Sequence, residues 1–197
     1  MADNLSIDGR TSALLVMDFQ TLIVDNYAAS ADALLDRTAK LIDAARTAGL
    51  RVIYVVVGFR PGYPEISDRN ATFSGLKASG ALAAGAENAK IHPAVAPLAK
   101  EIVVTKHRVS AFTGTDLDLM LRANGIETLI LTGIVASGVV LSTLRHAADA
   151  DYRLLVVTDC CSDHDEEAHR VLLEKVFPRQ ATITTAARLA QAIGAGR

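Results

Sequence analysis

The sequence predicts a three-layer, doubly wound α/β sandwich on a six-stranded, mostly parallel sheet, and three observations lead there. Short aliphatic runs alternate with segments of helical periodicity along nearly the whole chain. The runs are apolar on both faces, as in strands covered by helices on each side. Strands joined through helices pair in parallel by right-handed crossovers, which makes the doubly wound arrangement the economical one.

Each element has its own signal. Thr11 to Met17 and Arg51 to Val57 read as buried strands, because both are short, aliphatic and β-branched and both end at a polar or Gly-containing turn. Glu101 to Thr105, Glu127 to Thr132, Arg153 to Thr158 and Ala181 to Thr184 repeat the pattern. Between the first two strands, Leu34, Leu35, Ala39, Leu41, Ile42 and Ala45 recur at helical spacing over Ser30 to Ala48, and Gly49 closes that helix. Further helices are expected over Thr115 to Ala123, Gly138 to Ala150, Asp165 to Val176 and Thr185 to Ile193. Phe59 to Ala99 is the exception, a loop-like stretch with four of the five prolines, too long for a simple connector. It reads as an excursion that covers the site or faces a partner.

The bulk properties narrow the function classes. At 197 residues and 50% hydrophobic content, one domain over 1–197 is expected, with no repeat or linker-like break. A net charge of -2 with dispersed basic residues offers no polybasic tract for nucleic acid or an anionic membrane. The expected partners are a small molecule and further copies of the chain. No N-terminal stretch has signal-peptide order and no apolar run approaches about 18 residues, so a cytoplasmic location is expected. The adjacent Cys160 and Cys161 are read as small buried side chains and not as a disulfide.

Ligands of open α/β sheets bind at the carboxyl ends of the strands. Three candidate segments fall there: Asp18 with Gln20 after the first strand, Lys106 after the third, and the Gly133 to Thr143 turn after the fourth. A strand order such as 3-2-1-4 sets that turn beside Asp18, with Lys106 reaching in from its flanking loop. A carboxylate at the edge of a core needs a partner when desolvated, and Lys106 is the natural one. Backbone N–H groups at the helix start after the fourth strand could hold a carbonyl oxygen or carboxylate. Ser137 suits the N-cap there, and Gly138 opens the backbone to a close approach.

Leu14-Leu-Val-Met-Asp-Phe-Gln20, Val103-Val-Thr-Lys-His-Arg-Val-Ser-Ala-Phe112 and Gly133 to Thr143 resemble the three signature segments of the isochorismatase-like hydrolase superfamily. In most members these carry an Asp, a Lys and a nucleophilic Cys. The matching positions here are Asp18, Lys106 and Val139, so the resemblance implies a variant without the thiol. Thr143, Arg145 and Ala147 continue the match and fix its register. The resemblance further implies catalytic roles for Asp18 and Lys106, and substrate contacts from Gln20, Phe112, Ala136, Ser137, Gly138 and Val139. It also implies a non-proline cis peptide at Ile134–Val135 or Val135–Ala136. No cofactor or metal is expected, since Gly58 to Glu65 lacks the histidine of the metal-binding branch. His164 and His169, five apart, would point about 140° away from each other on one helix. Ser137, Ser142, Cys160 and Cys161 are weak replacements for the thiol. His107 could line the site, and Arg60 or Arg69 could meet an acidic substrate.

Two function classes follow. One is a hydrolase that uses Asp18 and Lys106 for acid–base chemistry on water, as isochorismatases proper do without a cysteine. The alternative is an inactive relative that serves as a small-molecule-binding or structural oligomeric protein.

Overall fold

The computed structural model describes residues 5, 7–28 and 30–195. Of the expected domain 1–197, residues 1–4, 6, 29, 196 and 197 lie outside the described residues. Six strands, β1 (Ser12–Met17), β2 (Arg51–Val57), β3 (Ile102–Lys106), β4 (Thr128–Ile134), β5 (Arg153–Ser162) and β6 (Thr182–Thr184), form one sheet. Their order is β3-β2-β1-β4-β5-β6 and every pairing is parallel. The expected architecture is found, with "mostly parallel" sharpened to all parallel.

Side-chain alternation along the strands feeds two cores. Leu14 and Val16 of β1 face one layer, with α2 (Ala31–Thr47) and α7 (Ala186–Ala195). Ala13, Leu15 and Met17 face the other, with α4 (Leu117–Ala123) and α5 (Leu141–Asp149). All residues of β1 and β4 are buried, which is why both read as continuous apolar runs.

The departures have local causes. A helix α1 (Thr21–Tyr27) was not expected, because its Thr-Leu-Ile-Val start favours extended structure; burial of Ile23 and Val24 overrides that preference. The excursion after β2 is built, not loose. It contains α3 (Ser74–Ser79) and two single 3-10 turns, Glu87–Ala89 and Pro93–Val95. Phe59, Tyr63, Ile66, Phe73, Leu82 and Val95 sink into the α2 core. The helix expected over Asp165 to Val176 divides into α6 (Glu166–Val171) and a π stretch, Leu172–Val176.

β4 and β5 both run past the points where the sequence suggested turns. Leu131 pairs with Val156 but Gly133 with Cys161, so two steps along β4 are matched by five along β5. This bulge turns the Asp159-Cys-Cys-Ser162 segment from an expected loop into the end of a strand.

Candidate functional site

The site is built where β1, β3 and β4 end on the same edge of the sheet. Asp18 leaves β1 with φ 60°, a left-handed conformation that Asp tolerates better than most side chains. Its N–H donates to Val55 O at 2.8 Å, anchoring the turn to β2. Lys106 is the last residue of β3, not a loop residue as expected, and pairs in register with Val57. Its side chain crosses the end of β2, and Nζ lies 2.9 Å from Asp18 Oδ2. Nζ also donates to Arg108 O at 3.2 Å.

This ion pair is almost sealed, with side chains 3% and 7% exposed for Lys106 and Asp18. Burial pushes the Asp18 carboxyl above the ordinary carboxylate range, and Lys106 opposes that rise. Asp18 Oδ1 is buried and has no hydrogen-bond partner among the described residues. A desolvated oxygen with free capacity beside a fixed cation is suited to exchange a proton or accept a donor from a bound molecule.

Met17 pairs with Gly133, so the turn after β4 begins beside Asp18. Gly133 is required by packing, because a Cβ there would come within 3.1 Å of both Met17 O and a Val140 methyl. The Ile134–Val135 peptide is cis. Ala136–Val140 then forms a π turn that runs directly into α5, so the helix starts earlier than the sequence indicated. Ala136 and Val139 are buried in the apolar cluster that also holds Met17 and Val140.

The other expected contacts are distributed differently. Ser137 is not the N-cap: Val135 takes that position with no side-chain cap bond, because the helix begins at Ala136. The Ser137 N–H donates to Asp163 Oδ2 at 2.7 Å and the Gly138 N–H to Val135 O at 3.0 Å. Neither amide is open to a substrate oxygen. A methyl added to Gly138 would rest at ordinary contact distance, 3.6 Å from Val135 and 3.9 Å from Val109. Gln20 is turned to the frame: Nε2 donates to Val57 O at 2.8 Å and Ala89 O at 2.7 Å, while Oε1 accepts the Val57 N–H at 2.8 Å. Phe112 lies against α5, stacked on His146 with ring centroids 4.5 Å apart. The Ala111 N–H donates to Thr143 Oγ1 at 3.0 Å and pins that segment there.

His107 holds the excursion through Gly58 O, and Arg108 donates to Glu65 O at 3.1 Å. Arg60 is paired with Glu65 at 2.7 Å. Cys160 and Cys161 are free and buried; burial pushes the Cys160 thiol up to about 12 and Cys161 up as well, which makes both poor nucleophiles. Among the described residues, no three His, Cys, Asp or Glu side chains gather as a metal cluster would. The residue missed from sequence is Asp163. Its only sequence signal is a place shortly after a strand, and the register jump in β5 that carries it to Ser137 has no visible signature.

A cavity of about 570 Å³ lies at the opposite end of β2 and β3, around Arg46, Arg51 and Lys100. The chemistry at the β1, β3 and β4 ends marks the candidate site more strongly than cavity size does.

The Isochorismatase domain family matches residues 12–188. An uncharacterized isochorismatase family protein of Escherichia coli O157:H7 is 31% identical over 192 residues, covering 96% of this chain and all of that protein. A maleamate amidohydrolase of Pseudomonas putida is 29% identical over 181 residues, covering 90% of this chain and 84% of that one. A cysteine hydrolase structure from Pseudomonas syringae superposes with a TM-score of 0.90 over 98% of this chain and 97% of its own at 22% identity, a likeness of fold. With the strand order, the buried Asp–Lys pair and a match running from β1 into α7, the chain belongs to the isochorismatase family of hydrolases.

Proposed function

We propose that this hydrolase acts on a small molecule by non-covalent acid–base chemistry, with Asp18 as the proton donor and Lys106 fixing its geometry. The observation that carries the reading is Asp18 itself: one oxygen held by Lys106, the other buried and unpartnered, and a carboxyl shifted upward by burial. We read Val139 at the position of the family's usual cysteine, and on that reading no thiol is available there to form a thioester. For a vinyl ether, Oδ1 would give its proton to the alkene carbon, water would attack the resulting oxocarbenium ion and return a proton to Asp18, and the hemiketal so formed would break its C–O bond to release an alcohol and a carbonyl product. Ala136, Gly138 and Val139 would form the wall of the pocket, with Ser137 at its rim. Gln20 and Phe112 we assign to the supporting frame, since main-chain bonds and ring packing already occupy them.

The test is a panel of vinyl ethers, cyclic amides and small esters on the wild type, Asp18→Asn and Val139→Cys. Vinyl-ether hydrolysis should fall by about 10²- to 10⁴-fold in Asp18→Asn. Full activity in that variant sinks the acid–base proposal. The raised carboxyl sets the sign of the pH profile: the rate falls as pH climbs through a value above the ordinary carboxylate range. Amide hydrolysis gained by Val139→Cys would support the reading of position 139. The near-complete burial of the ion pair favours a second reading, a binding or structural protein that keeps Asp18 and Lys106 as a buried clamp. Inactivity across the whole panel would support it.

A further inference from the structure

A second buried carboxylate faces the turn that carries Val139. The Asp163 side chain is 0% exposed. Oδ2 accepts the Ser137 N–H at 2.7 Å, while Oδ1 accepts the Asp165 N–H at 3.3 Å and lies 3.3 Å from His164 Nδ1. The register jump is what delivers it: extending the Leu131–Val156 pairing unchanged would set Asp159, not Ser162, opposite Ile134.

We propose that Asp163 is a positioning residue for the Ala136–Val140 turn and makes its surface inhospitable to anionic groups. The part concerning anions rests on the proposed function, because it takes this turn as the wall of the site. The start of a helix carries about half a positive charge, which ordinarily invites an anion. Here that invitation is already answered from inside the protein. Asp163 holds the Ser137 amide, the second of the turn, and a second negative group would meet a desolvated like charge. The substrate therefore presents an uncharged face to the turn, an ether, an amide or an apolar body, and directs any carboxylate elsewhere. Asp163 touches no reacting atom; it acts through Ser137 and the residues that follow.

The Val139→Cys variant, in a Cys160→Ala/Cys161→Ala background, supplies the sole thiol and a reporter at the turn. The pH dependence of its thiolate ultraviolet absorbance gives the reporter's pKa without reagent access to this buried position, and a thiolate is itself an anion placed on the turn. Hydrogen–deuterium exchange over residues 136–140 reads the positioning. In that background both are measured in Val139→Cys alone, in Val139→Cys/Asp163→Asn and in Val139→Cys/Asp163→Ala. The Asn side chain keeps an acceptor without the charge, so exchange should stay within about twofold while the reporter pKa drops by about one unit. The Ala variant loses both, and exchange over 136–140 should accelerate by about tenfold or more. Exchange and reporter pKa that are the same in all three backgrounds overturn the proposal, whether or not the melting temperature falls. No readout uses a substrate, so failure of the acid–base reading and failure of this one are separate results.

Discussion

Asp18 and Lys106 sit where either charge alone would be costly, and the balance between them depends on pH. Burial raises the Asp18 pKa above its unfolded value of 3.8, so the folded chain binds this proton more tightly than the unfolded chain does. The stability from that linkage is fully present below the unfolded value and is lost as pH rises through the folded one. Lys106→Met removes the opposing cation, which moves the folded value further up and extends the loss to higher pH. Urea melts should show this variant destabilised by about 3 kcal/mol at pH 8, with a smaller penalty at pH 5. Asp18→Asn/Lys106→Met should lose that pH dependence, since Asn tolerates the left-handed φ of 60°. Asp18 was legible because a carboxylate directly after an aliphatic strand calls for a partner, whereas Lys106, which alone reads as an exposed loop lysine, was legible only through its place among the three resembling segments. The fate of Gln20 was not: nothing in its neighbours reveals that Val57 and Ala89 main-chain groups will claim its amide.

Elements were legible wherever periodicity alone decides them. β2 matches its expected bounds, β1 and β6 each start one residue later, and β3 is shifted by one residue at both ends, as terminal fraying and assignment differences allow. The misses share a physical cause, a local preference overruled by a neighbouring element. Gly133 reads as a strand breaker, yet it continues β4 because the Met17 backbone and Val140 press too closely for any side chain. Gly133→Ala should therefore destabilise the fold by about 1–3 kcal/mol, measured by thermal or urea denaturation, and shift the start of α5. The β5 bulge is the other case. Pairing with β4 resumes three residues late, which exchanges the faces of everything beyond it and makes Asp163 a partner of Ser137.

At the scale of the whole molecule, the order β3-β2-β1-β4-β5-β6 places β1 and β4, which lead into Asp18 and the 133–143 turn, at the centre of the sheet and leaves β3 and β6 as edges. Val103 on edge strand β3 is 44% exposed, while β1 and β4 are buried throughout. Native-state hydrogen exchange should be slowest in Leu14–Met17 and Thr128–Leu131, and at least about a hundredfold faster in the 3-10 turns of the 59–99 excursion. Equal protection in the two regions would mean that the excursion and the sheet unfold as one unit. That excursion was legible as an anomaly but not as structure, because its aromatic anchors, Phe59, Tyr63 and Phe73, are spaced by no regular period. One of its ties to the sheet has a chemical consequence. Gln20 grips β2 and Ala89 with an amide that neither gains nor loses a proton at any physiological pH. Two residues away, a change of charge at Asp18 therefore leaves this one tie between β2 and the excursion unaltered, while the Lys106 pair carries its effect.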